Sequence, residues 1–269
     1  MRIMEILLEK VVQIVKKAAQ ITLKPIESID QKDGYANIVT SADKSVQDFL
    51  YDNLRDLVPD SGFICEEEDF HTAGSGGYTW IIDPIDGTAN FSRHIPEFAI
   101  SVALKHTGGI VLGVVYNPLK DELFTAIKGK KAFRNGQEIS VSARPFADSL
   151  LCTAMSIYNK KYAKVCSDII MDAYYKCNDV RRFGACALEI CYLAAGQCDL
   201  FFEYRVMPWD YAAAYLIFTE AGGTLTDLNG GKLYFNRPTM LIGGNTPENH
   251  NILSSIVGKY VAPDYYEYR

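Results

Sequence analysis

The chain has 269 residues, of which 48% are hydrophobic and 22% charged, so it can bury an ample core in one large domain or two packed subdomains. Its formal net charge of −6, with no block of Lys and Arg set against it, argues against a partner bound through a nucleic-acid backbone. The same charge is compatible with a small phosphorylated substrate, because bound divalent metals can invert the local sign of a site.

The cysteines and the N-terminal segment favour a soluble, cytoplasmic protein with no membrane partner. Seven cysteines are scattered without a C-x-x-C pair, which predicts reduced, buried thiols rather than a disulfide framework or a zinc site. Glu5, Glu9 and Lys10 interrupt the apolar residues at the N-terminus. No stretch approaches the roughly 18 apolar residues of a membrane-spanning helix.

The first half of the chain has the pattern of an α+β unit. Its predicted elements are a helix at 3–20, a helix that begins at a cap on Ser41 and ends at Pro59, strands at 62–65 and 78–82 around a Gly-rich loop at 71–77, an antiparallel meander at 99–127 and a turn at Asn135-Gly136.

Past about residue 147 the pattern changes to alternating strands and helices, which is typical of an α/β unit. The predicted elements are a strand at 149–155, helices near 160–177 and at 185–195, a strand at 199–204, a helix at 210–220, strands at 224–227 and 239–243, and a helix from about Pro247. The change in pattern predicts two subdomains, 1–147 and 148–269, with no flexible linker between them.

Acidic residues follow two of the predicted strands and open one predicted helix. The segments are Glu66-Glu67 after the strand at 62–65, Asp83-Pro84-Ile85-Asp86-Gly87-Thr88 after the strand at 78–82, and Trp209-Asp210. Carboxylates are costly to cluster because they repel one another, and converging hard oxygen ligands suit Mg²⁺ or a similar cation. The segments therefore indicate a metal site.

The segment at 83–88 also suits phosphate chemistry. Pro84 fixes the backbone between the two aspartates, so both carboxylates can point at a shared pair of metals while a carbonyl between them stays free. Gly87 and Thr88 lie at a predicted helix start, where unpaired backbone N–H groups can hold a phosphate. Metals beside a phosphate cradle are the arrangement that two-metal phosphoryl transfer requires.

Each acidic segment has a structural alternative when it is taken singly. The residues from Glu66 to Asp69 can form a solvated acidic turn, and Asp210 can be a helix N-cap. Asp-Pro and Asp-Gly are common turn pairs. The residues alone therefore indicate a possible metal site and no more.

Two longer motifs resemble the inositol monophosphatase family. The first is Asp83 to Thr88, preceded by Trp80-Ile81-Ile82 and followed by Asn90-Phe91, and the second is Trp209 to Ala214 followed by Thr219 to Gly223. The resemblance covers essentially the whole chain, and two separate motifs in the family's order argue against coincidence. It implies a five-layered αβαβα sandwich of the sugar-phosphatase type, in which α+β and α/β halves are combined. It also implies a homodimer that needs Mg²⁺, with two or three ions per active site, and that lithium inhibits.

The resemblance also implies roles for individual residues. The implied metal ligands are Glu66, Asp83, the carbonyl of Ile85, Asp86 and Asp210. Of these, Glu66, Asp83 and Ile85 would hold the metal that binds the attacking water, and Asp83, Asp86 and Asp210 the metal beside the leaving oxygen. The implied catalytic residues are Asp43 and Thr88, which would pair to orient and help deprotonate the water, and Glu67 beside the ligands. The implied substrate contacts are Gly87, Thr88, Gly184, Ala185, Glu203 and Lys32, although Lys32 can equally be a solvated loop residue.

The chain departs from the family pattern at two places that concern the substrate rather than the reaction. Cys65 stands where many relatives have Gly, and Ala185-Cys186 replaces a pair often written Thr-Ala. The leading hypothesis is a magnesium-dependent phosphomonoesterase that acts on a small phosphorylated polyol, above all inositol 1-phosphate. Fructose 1,6-bisphosphate, 3′-phosphoadenosine 5′-phosphate and NADP are alternative substrates. A regulatory binding protein or a cation sensor on the same fold are the non-enzymatic alternatives.

Overall fold

The computed structural model describes residues 2–31, 38–67, 70–155 and 159–261. Within these residues the helices are α1 (Arg2–Thr22), α2 (Ser41–Leu57), α3 (Thr88–Phe91), α4 (Ala163–Tyr174), α5 (Cys186–Ala194), α6 (Pro208–Glu220) and α7 (Pro247–Val257), with 3₁₀ turns at Phe146–Asp148 and Lys160–Tyr162. None of the described helices is both long enough and apolar enough to cross a membrane.

The strands form a hairpin and two sheets. The strands are β1 (Ile29–Gln31), β2 (Ile38–Thr40), β3 (Gly62–Cys65), β4 (His71–Thr72), β5 (Tyr78–Asp86), β6 (Ala99–His106), β7 (Gly109–Asn117), β8 (Glu122–Ile127), β9 (Ala132–Arg134), β10 (Gln137–Ile139), β11 (Leu150–Thr153), β12 (Asp179–Arg181), β13 (Leu200–Val206), β14 (Thr224–Thr226) and β15 (Thr239–Gly244). The large sheet has the order β10-β9-β8-β7-β6-β5-β3-β4, the small sheet has the order β12-β11-β13-β15-β14, and β1 pairs with β2.

The helices and sheets stack in five layers. One apolar cluster lies between α1, α2 and the outer face of the large sheet. A second cluster fills the middle, between the inner face of that sheet, α5, α6 and the small sheet. A third lies between the far face of the small sheet and helices α4 and α7. This order confirms the predicted αβαβα sandwich, an α+β fold built in layers.

The amphipathic pattern of each helix explains its layer. Helix α1 buries a stripe that includes Val11, Val15 and Ala18 and leaves its other face to solvent, as an outer-layer helix does. Nearly every residue of α6 from Pro208 to Phe218 is buried, because sheets cover the helix on two sides. A helix that is apolar all round is a buried helix. Helices α5 and α6 pack against both sheets, so the two halves of the chain share one core. The division into subdomains 1–147 and 148–269 stays a prediction.

Two boundaries differ from the sequence predictions. The cap of α2 is Thr40 rather than Ser41, because the Thr40 side chain accepts from Ala42 N and the Asp43 carboxylate accepts from Thr40 N in a capping box. Strand β5 does not end at residue 82: it continues to Asp86, with a break in register between Asp83 and Asp86. Strands β1, β2, β4 and β12 were not predicted, because their sequences show no clear alternation of apolar and polar residues.

All seven cysteines are free, and all but the partly buried Cys177 are buried, as their apolar surroundings in the sequence predicted. Cys65 packs in the outer cluster with α1 and α2, and burial raises the pKa of its thiol to about 12. It therefore belongs to the core and does not crowd the site edge.

Candidate active site

The first two acidic segments meet at one edge of the large sheet. Strands β3 and β5 are parallel neighbours with Cys65 opposite Ile82, so Glu66 and Asp83 follow paired residues. Glu66 N also donates to Ile82 O at 3.3 Å. The ends of parallel strands bring their following side chains together, which explains why these two segments, separated in sequence, share one place.

The two aspartates of the central motif are held by backbone donors. Asp83 Oδ1 accepts from Ile85 N at 3.0 Å, across Pro84, whose ring fixes its own φ. The two oxygens of Asp86 accept from Cys186 N at 2.9 Å and Ala187 N at 2.8 Å. These donors are the first N–H groups of α5, which have no acceptor within the helix, so the start of α5 fixes Asp86.

Asp210 comes to the site from the first turn of α6. It is the third residue of the helix, and its Oδ2 accepts from Met207 N at 2.7 Å. The N-cap of α6 is therefore Met207, and the alternative that Asp210 is itself the N-cap was wrong: Asp210 accepts from the N-cap backbone as the third residue of the helix. Asp210 is buried, at 7% exposure, and lies within the electrostatic field of Glu66 and Asp86.

Asp43 and Thr88 are in contact, as the resemblance implies. Thr88 Oγ1 lies 3.2 Å from Asp43 Oδ1 and 3.1 Å from Ile85 O, so its hydroxyl can donate to either oxygen. The other Asp43 oxygen accepts from Thr40 N at 2.7 Å and Thr40 Oγ1 at 2.5 Å. Asp43 is fully buried, and Thr88 stands between it and the carbonyl that was predicted to bind metal.

The backbone around Glu66 and Glu67 is fixed by a side chain that the sequence analysis did not single out. Gln47 Oε1 accepts from Glu67 N at 2.9 Å, and Gln47 Nε2 donates to Glu67 O at 3.2 Å. Gln47 lies on the buried face of α2, one turn from Asp43 and Leu50. A polar residue inside an otherwise apolar stripe was the signal that could have identified it.

Gly87 and the segment 183–187, which we call the 183–187 loop, are packed tightly together. Gly87 has a φ of +90°, and a Cβ atom on it would lie 2.9 Å from Glu97 O and 3.0 Å from Ala185 Cβ. Gly184 has a φ of +82°. The structure therefore brings the predicted substrate-contact residues Gly87, Gly184 and Ala185 side by side, beside Asp86.

Two further side chains, neither of which was assigned a role from the sequence, hold the 183–187 loop. Asn90 Nδ2 donates to Phe183 O and to Glu97 O, each at 2.7 Å. Glu189 Oε1 accepts from Phe183 N and Gly184 N. Asn90 follows the first motif directly, and Glu189 is the one charged residue of the buried helix α5, so each had a weak signal in the sequence.

Of the remaining predicted contacts, Glu203 lies in β13 and is partly buried. It falls within the electrostatic field of Glu189, Asp210 and Asp86. Cys186 is buried at the start of α5, within the electrostatic field of Glu203. The pair Ala185-Cys186, where the sequence departs from the family pattern, therefore lies at the site. Lys32 lies outside the described residues.

Burial and mutual repulsion raise the carboxyl pKa values of the site. Burial, and then repulsion by Glu66, raise the pKa of Asp83 well above its usual range, and the same two causes raise the pKa of Asp210. Burial raises the pKa of Asp86 to about 7 against the opposing effect of its N–H donors. It raises the pKa of Asp43 to about 6. In the absence of a cation, the folded chain therefore disfavours the ionised form of these carboxyl groups.

The chemistry of these donors fits a hard divalent cation. Within the described ranges, no Lys or Arg forms an ion pair with Asp83, Asp86 or Asp210. Buried carboxylates without a cationic partner are strongly unfavourable unless a cation offsets them. Within the same ranges, no three acidic, His or Cys side chains come close enough together to hold a metal ion in their present positions. The oxygens that accept backbone N–H groups keep a second lone pair for a metal. The ligand set stays a prediction.

The sequence matches the profile of the inositol monophosphatase family over residues 3–262, which is nearly the whole chain. The chain belongs to the inositol monophosphatase family. Among its relatives, the Nus factor SuhB of Escherichia coli strain K12 is 35% identical over 251 residues, covering 91% of this chain and 92% of that protein. The inositol-1-monophosphatase of Mesorhizobium japonicum is 35% identical over 211 residues, covering 78% and 79% of the two chains.

Solved structures of the family share the fold. The extragenic suppressor protein suhB of Bartonella henselae superposes with a TM-score of 0.87 and 34% identity, covering 95% of this chain and 99% of that one. An IMPase/NADP phosphatase complexed with Mg²⁺ and phosphate superposes with a TM-score of 0.82 and 25% identity, covering 95% and 94%. The family of the chain and the layered fold are therefore established, and phosphatases are among its relatives.

Proposed function

We propose that this member of the inositol monophosphatase family hydrolyses a small phosphorylated polyol, above all inositol 1-phosphate, in a reaction that requires Mg²⁺. The observation that carries the proposal is the set of buried carboxylates Asp83, Asp86 and Asp210, none of which forms an ion pair with a Lys or Arg among the described residues. The Mg²⁺ in the structure of the related IMPase/NADP phosphatase supports the choice of metal.

Five groups of this chain would hold the metal: the carboxylates of Glu66, Asp83, Asp86 and Asp210 and the carbonyl of Ile85. When bound, Mg²⁺ supplies a nucleophile at neutral pH and offsets the charge of the phosphate. The chain contributes position: β3 and β5 fix Glu66 and Asp83 as neighbours, and the start of α5 orients Asp86 through two N–H groups.

Asp43 and Thr88 would handle the proton of the attacking water. Thr88 Oγ1 can donate to Asp43 Oδ1, so a water that donates to Thr88 can release its proton along this hydrogen bond. Because burial raises the pKa of Asp43 to about 6, this carboxylate is a stronger base than an ordinary aspartate and is still ionised at neutral pH. Glu67, which is buried beside Gln47, would help to hold the neighbouring metal ligands in position without binding the metal itself.

The substrate would lie between Gly87 and the 183–187 loop. The first N–H groups of α3 have no acceptor within that helix, so Gly87 and Thr88 can donate to a phosphate oxygen. Gly184 is exposed and Glu203 is partly exposed, which makes the loop backbone and this carboxylate available to the hydroxyl groups of a polyol. A carboxylate accepts hydrogen bonds from hydroxyls, and this preference favours a polyol over an apolar alcohol.

A comparison of four substrates tests the proposal. We expect Mg²⁺-dependent phosphate release with the highest kcat/KM on inositol 1-phosphate, and lower values on fructose 1,6-bisphosphate, 3′-phosphoadenosine 5′-phosphate and NADP. A preference for one of the last three would keep the reaction and change the substrate. No release from any of them with Mg²⁺ present would contradict the proposed function and favour a non-catalytic binding protein.

Four further expectations stay predictions for this chain: that lithium inhibits it, that it is a homodimer, that it is cytoplasmic, and that it has no nucleic-acid partner. Several relatives carry the name Nus factor SuhB rather than the name of a phosphatase, so the last of these needs its own test. We expect no shift of the chain's sedimentation when RNA is added at physiological salt, and a mass of twice 30.0 kDa by light scattering. Co-sedimentation with RNA would show that the expectation of no nucleic-acid partner was wrong.

A further inference from the structure

Glu189 is a buried carboxylate that the proposed reaction does not use. It lies in the first turn of α5 at 1% exposure, in a helix whose other residues are apolar or aromatic. Its Oε1 accepts from Phe183 N at 2.6 Å and from Gly184 N at 2.8 Å. Its Oε2 is buried and has no hydrogen-bond partner among the described residues. A buried carboxyl group with one oxygen unsatisfied is costly, so its place in the core calls for a reason.

The two N–H groups that Glu189 binds belong to the loop that carries the predicted substrate contacts. Phe183 and Gly184 open the 183–187 loop, and the N–H groups of Cys186 and Ala187 close it by donating to Asp86. Two carboxylates, one on α5 and one at the end of β5, thus hold four of the loop's five backbone N–H groups. Gly184, between them, has the left-handed φ of +82° that this reversal of the chain requires.

Asn90 fixes the same loop from its carbonyl side. Its amide donates to Phe183 O and to Glu97 O, both at 2.7 Å, and it lies four residues after Asp86. The loop is therefore tied at Phe183 to both α5 and α3. Removing Glu189 would release the N–H side of Phe183 and Gly184 while Asp86 and Asn90 still held the rest.

The electrostatic state of Glu189 agrees with a role through contacts. Burial raises the pKa of its carboxyl to about 8, and the N–H groups of Gly184 and Phe183 act in the opposite direction. An acceptor oxygen is present on Oε1 whether the carboxyl is ionised or carries its proton on Oε2. The hold on the loop therefore does not depend on the charge.

We propose that Glu189 is a positioning residue that sets substrate selectivity: it holds the Phe183–Gly184 backbone so that Gly184 and Ala185 present fixed contacts to the hydroxyl groups of a polyol phosphate. The proposal rests on the proposed function for its substrate, and on the hydrogen bonds above for its mechanism. A loop misplaced by about 1 Å can cost a factor of ten to a hundred in rate or binding. Loss of the Glu189 hydrogen bonds should therefore weaken the hydrolysis of substrates whose hydroxyl groups contact the 183–187 loop. It should leave substrates without such contacts unchanged.

The kinetic test compares Glu189→Ala and Glu189→Gln on two substrates. On inositol 1-phosphate we expect Glu189→Ala to raise KM by on the order of tenfold with kcat changed less than about threefold. On p-nitrophenyl phosphate, which has no polyol, both constants should stay within about twofold of the wild type. Glu189→Gln keeps an acceptor oxygen for both N–H groups and should restore the KM for inositol 1-phosphate to within about threefold.

A structural control and a readout independent of activity complete the test. Ile190→Ala empties a buried site in the same helix but removes no hydrogen bond to the loop, so it should lower stability and leave the ratio of the two KM values unchanged. Hydrogen exchange of the Phe183 and Gly184 amides in metal-free protein should speed up at least about tenfold in Glu189→Ala, and not in Glu189→Gln or Ile190→Ala.

The outcomes separate this proposal from the proposed function. Unchanged exchange at Phe183 and Gly184 in Glu189→Ala, or equal losses on both substrates, would overturn the positioning role. If the wild type released no phosphate from inositol 1-phosphate, the proposed substrate would fall, and the kinetic arm would move to whichever of the other three substrates it hydrolyses. The exchange measurement would still decide whether Glu189 holds the loop.

Discussion

Gly87 has a φ of +90°, and its neighbours leave no room for a side chain on the side that faces Glu97 and Ala185. We expect Gly87→Ala to lower the free energy of unfolding by about 2–4 kcal/mol, because left-handed strain of about 1–2 kcal/mol adds to the clash. Activity should fall at least about tenfold, because the clash pushes Ala185 away from the motif. Urea unfolding and steady-state kinetics measure both effects.

Gly136 offers a matched control for this substitution. It also has a positive φ, +77°, but a Cβ atom on it would meet nothing within 4 Å. Gly136→Ala should therefore cost only the strain of about 1–2 kcal/mol and leave activity unchanged. Equal losses of stability in the two variants, with activity intact in both, would show that crowding at Gly87 does not matter.

Asp43 is the second residue whose environment makes a specific prediction. Asp43→Asn keeps oxygen and nitrogen near Thr40 and Thr88 but removes the base, so kcat should fall about 10²–10⁴-fold. In the wild type, kcat should decline as the pH falls below about 6, because protonation of Asp43 abolishes its capacity to accept a proton. Asp48→Asn, an exposed residue on the same helix, should change neither. A fully active Asp43→Asn variant would remove Asp43 from the mechanism.

At the scale of elements, α2 reaches the site through two residues on its buried face, Asp43 and Gln47. Gln47→Ala would remove the acceptor of the buried Glu67 N–H and one of the two donors to Glu67 O, which should cost about 1–3 kcal/mol of stability. The concentration of Mg²⁺ that gives half-maximal activity should rise on the order of tenfold, because the chain beside Glu66 loses its support. A titration with Mg²⁺ measures this shift.

Asn53→Ala provides the comparison on the same helix, since the Asn53 side chain is exposed and donates to Phe49 O within α2 itself. It should change stability by no more than about 0.5 kcal/mol and leave the Mg²⁺ titration where it was. If Gln47→Ala lost stability but kept its Mg²⁺ requirement unchanged, Gln47 would be a core residue without influence on the ligands.

Element by element, the sequence predicted what depends on local pattern and missed what depends on distant partners. The helical spacing in α1 and the apolar run of α5 were readable, because burial imposes a period on a helix. Strands as short as β4 and β12 were not, since two or three residues carry no alternation. The contact of Asp86 with Cys186 N joins residues 100 apart in sequence, and only the packing of α5 against the large sheet creates it.

The site divides in the same way. Its acidic residues and the pairing of Asp43 with Thr88 followed from motifs that resemble a family. Gln47, Asn90 and Glu189 were assigned no role from the sequence, although Asn90 is one of the residues that carry the resemblance. Each binds backbone groups of another element, and hydrogen bonds to backbone follow no spacing rule in the sequence. Such supporting residues require the folded chain.

At the scale of the whole molecule, burying several carboxylates makes stability depend on pH and on metal. The carboxyl pKa values of Asp43, Asp86 and Glu189 are raised to about 6, 7 and 8, above the value of about 4 in an unfolded chain. The folded state therefore binds more protons than the unfolded state between about pH 4 and pH 8. Stability from these groups is present at low pH and is lost as the pH rises.

We expect the metal-free protein to be more stable at pH 6 than at pH 8, by on the order of 1 kcal/mol or more in urea unfolding with a chelator present. Added Mg²⁺ should recover stability mainly at pH 8, because a cation takes the place of the bound protons. Metal-free stability that rises between pH 6 and pH 8 would contradict the electrostatic description of the site.

Phosphate release by the wild type and by Asp83→Asn, each with Mg²⁺ and with a chelator, tests the central claim most directly. With inositol 1-phosphate as substrate, the wild type should need Mg²⁺, and the variant should lose activity at least about a thousandfold while unfolding cooperatively. Removing a buried carboxylate that others repel should not by itself unfold the chain. Activity that survives in the chelator, or in Asp83→Asn, would show that the carboxylate cluster is not the catalytic metal site.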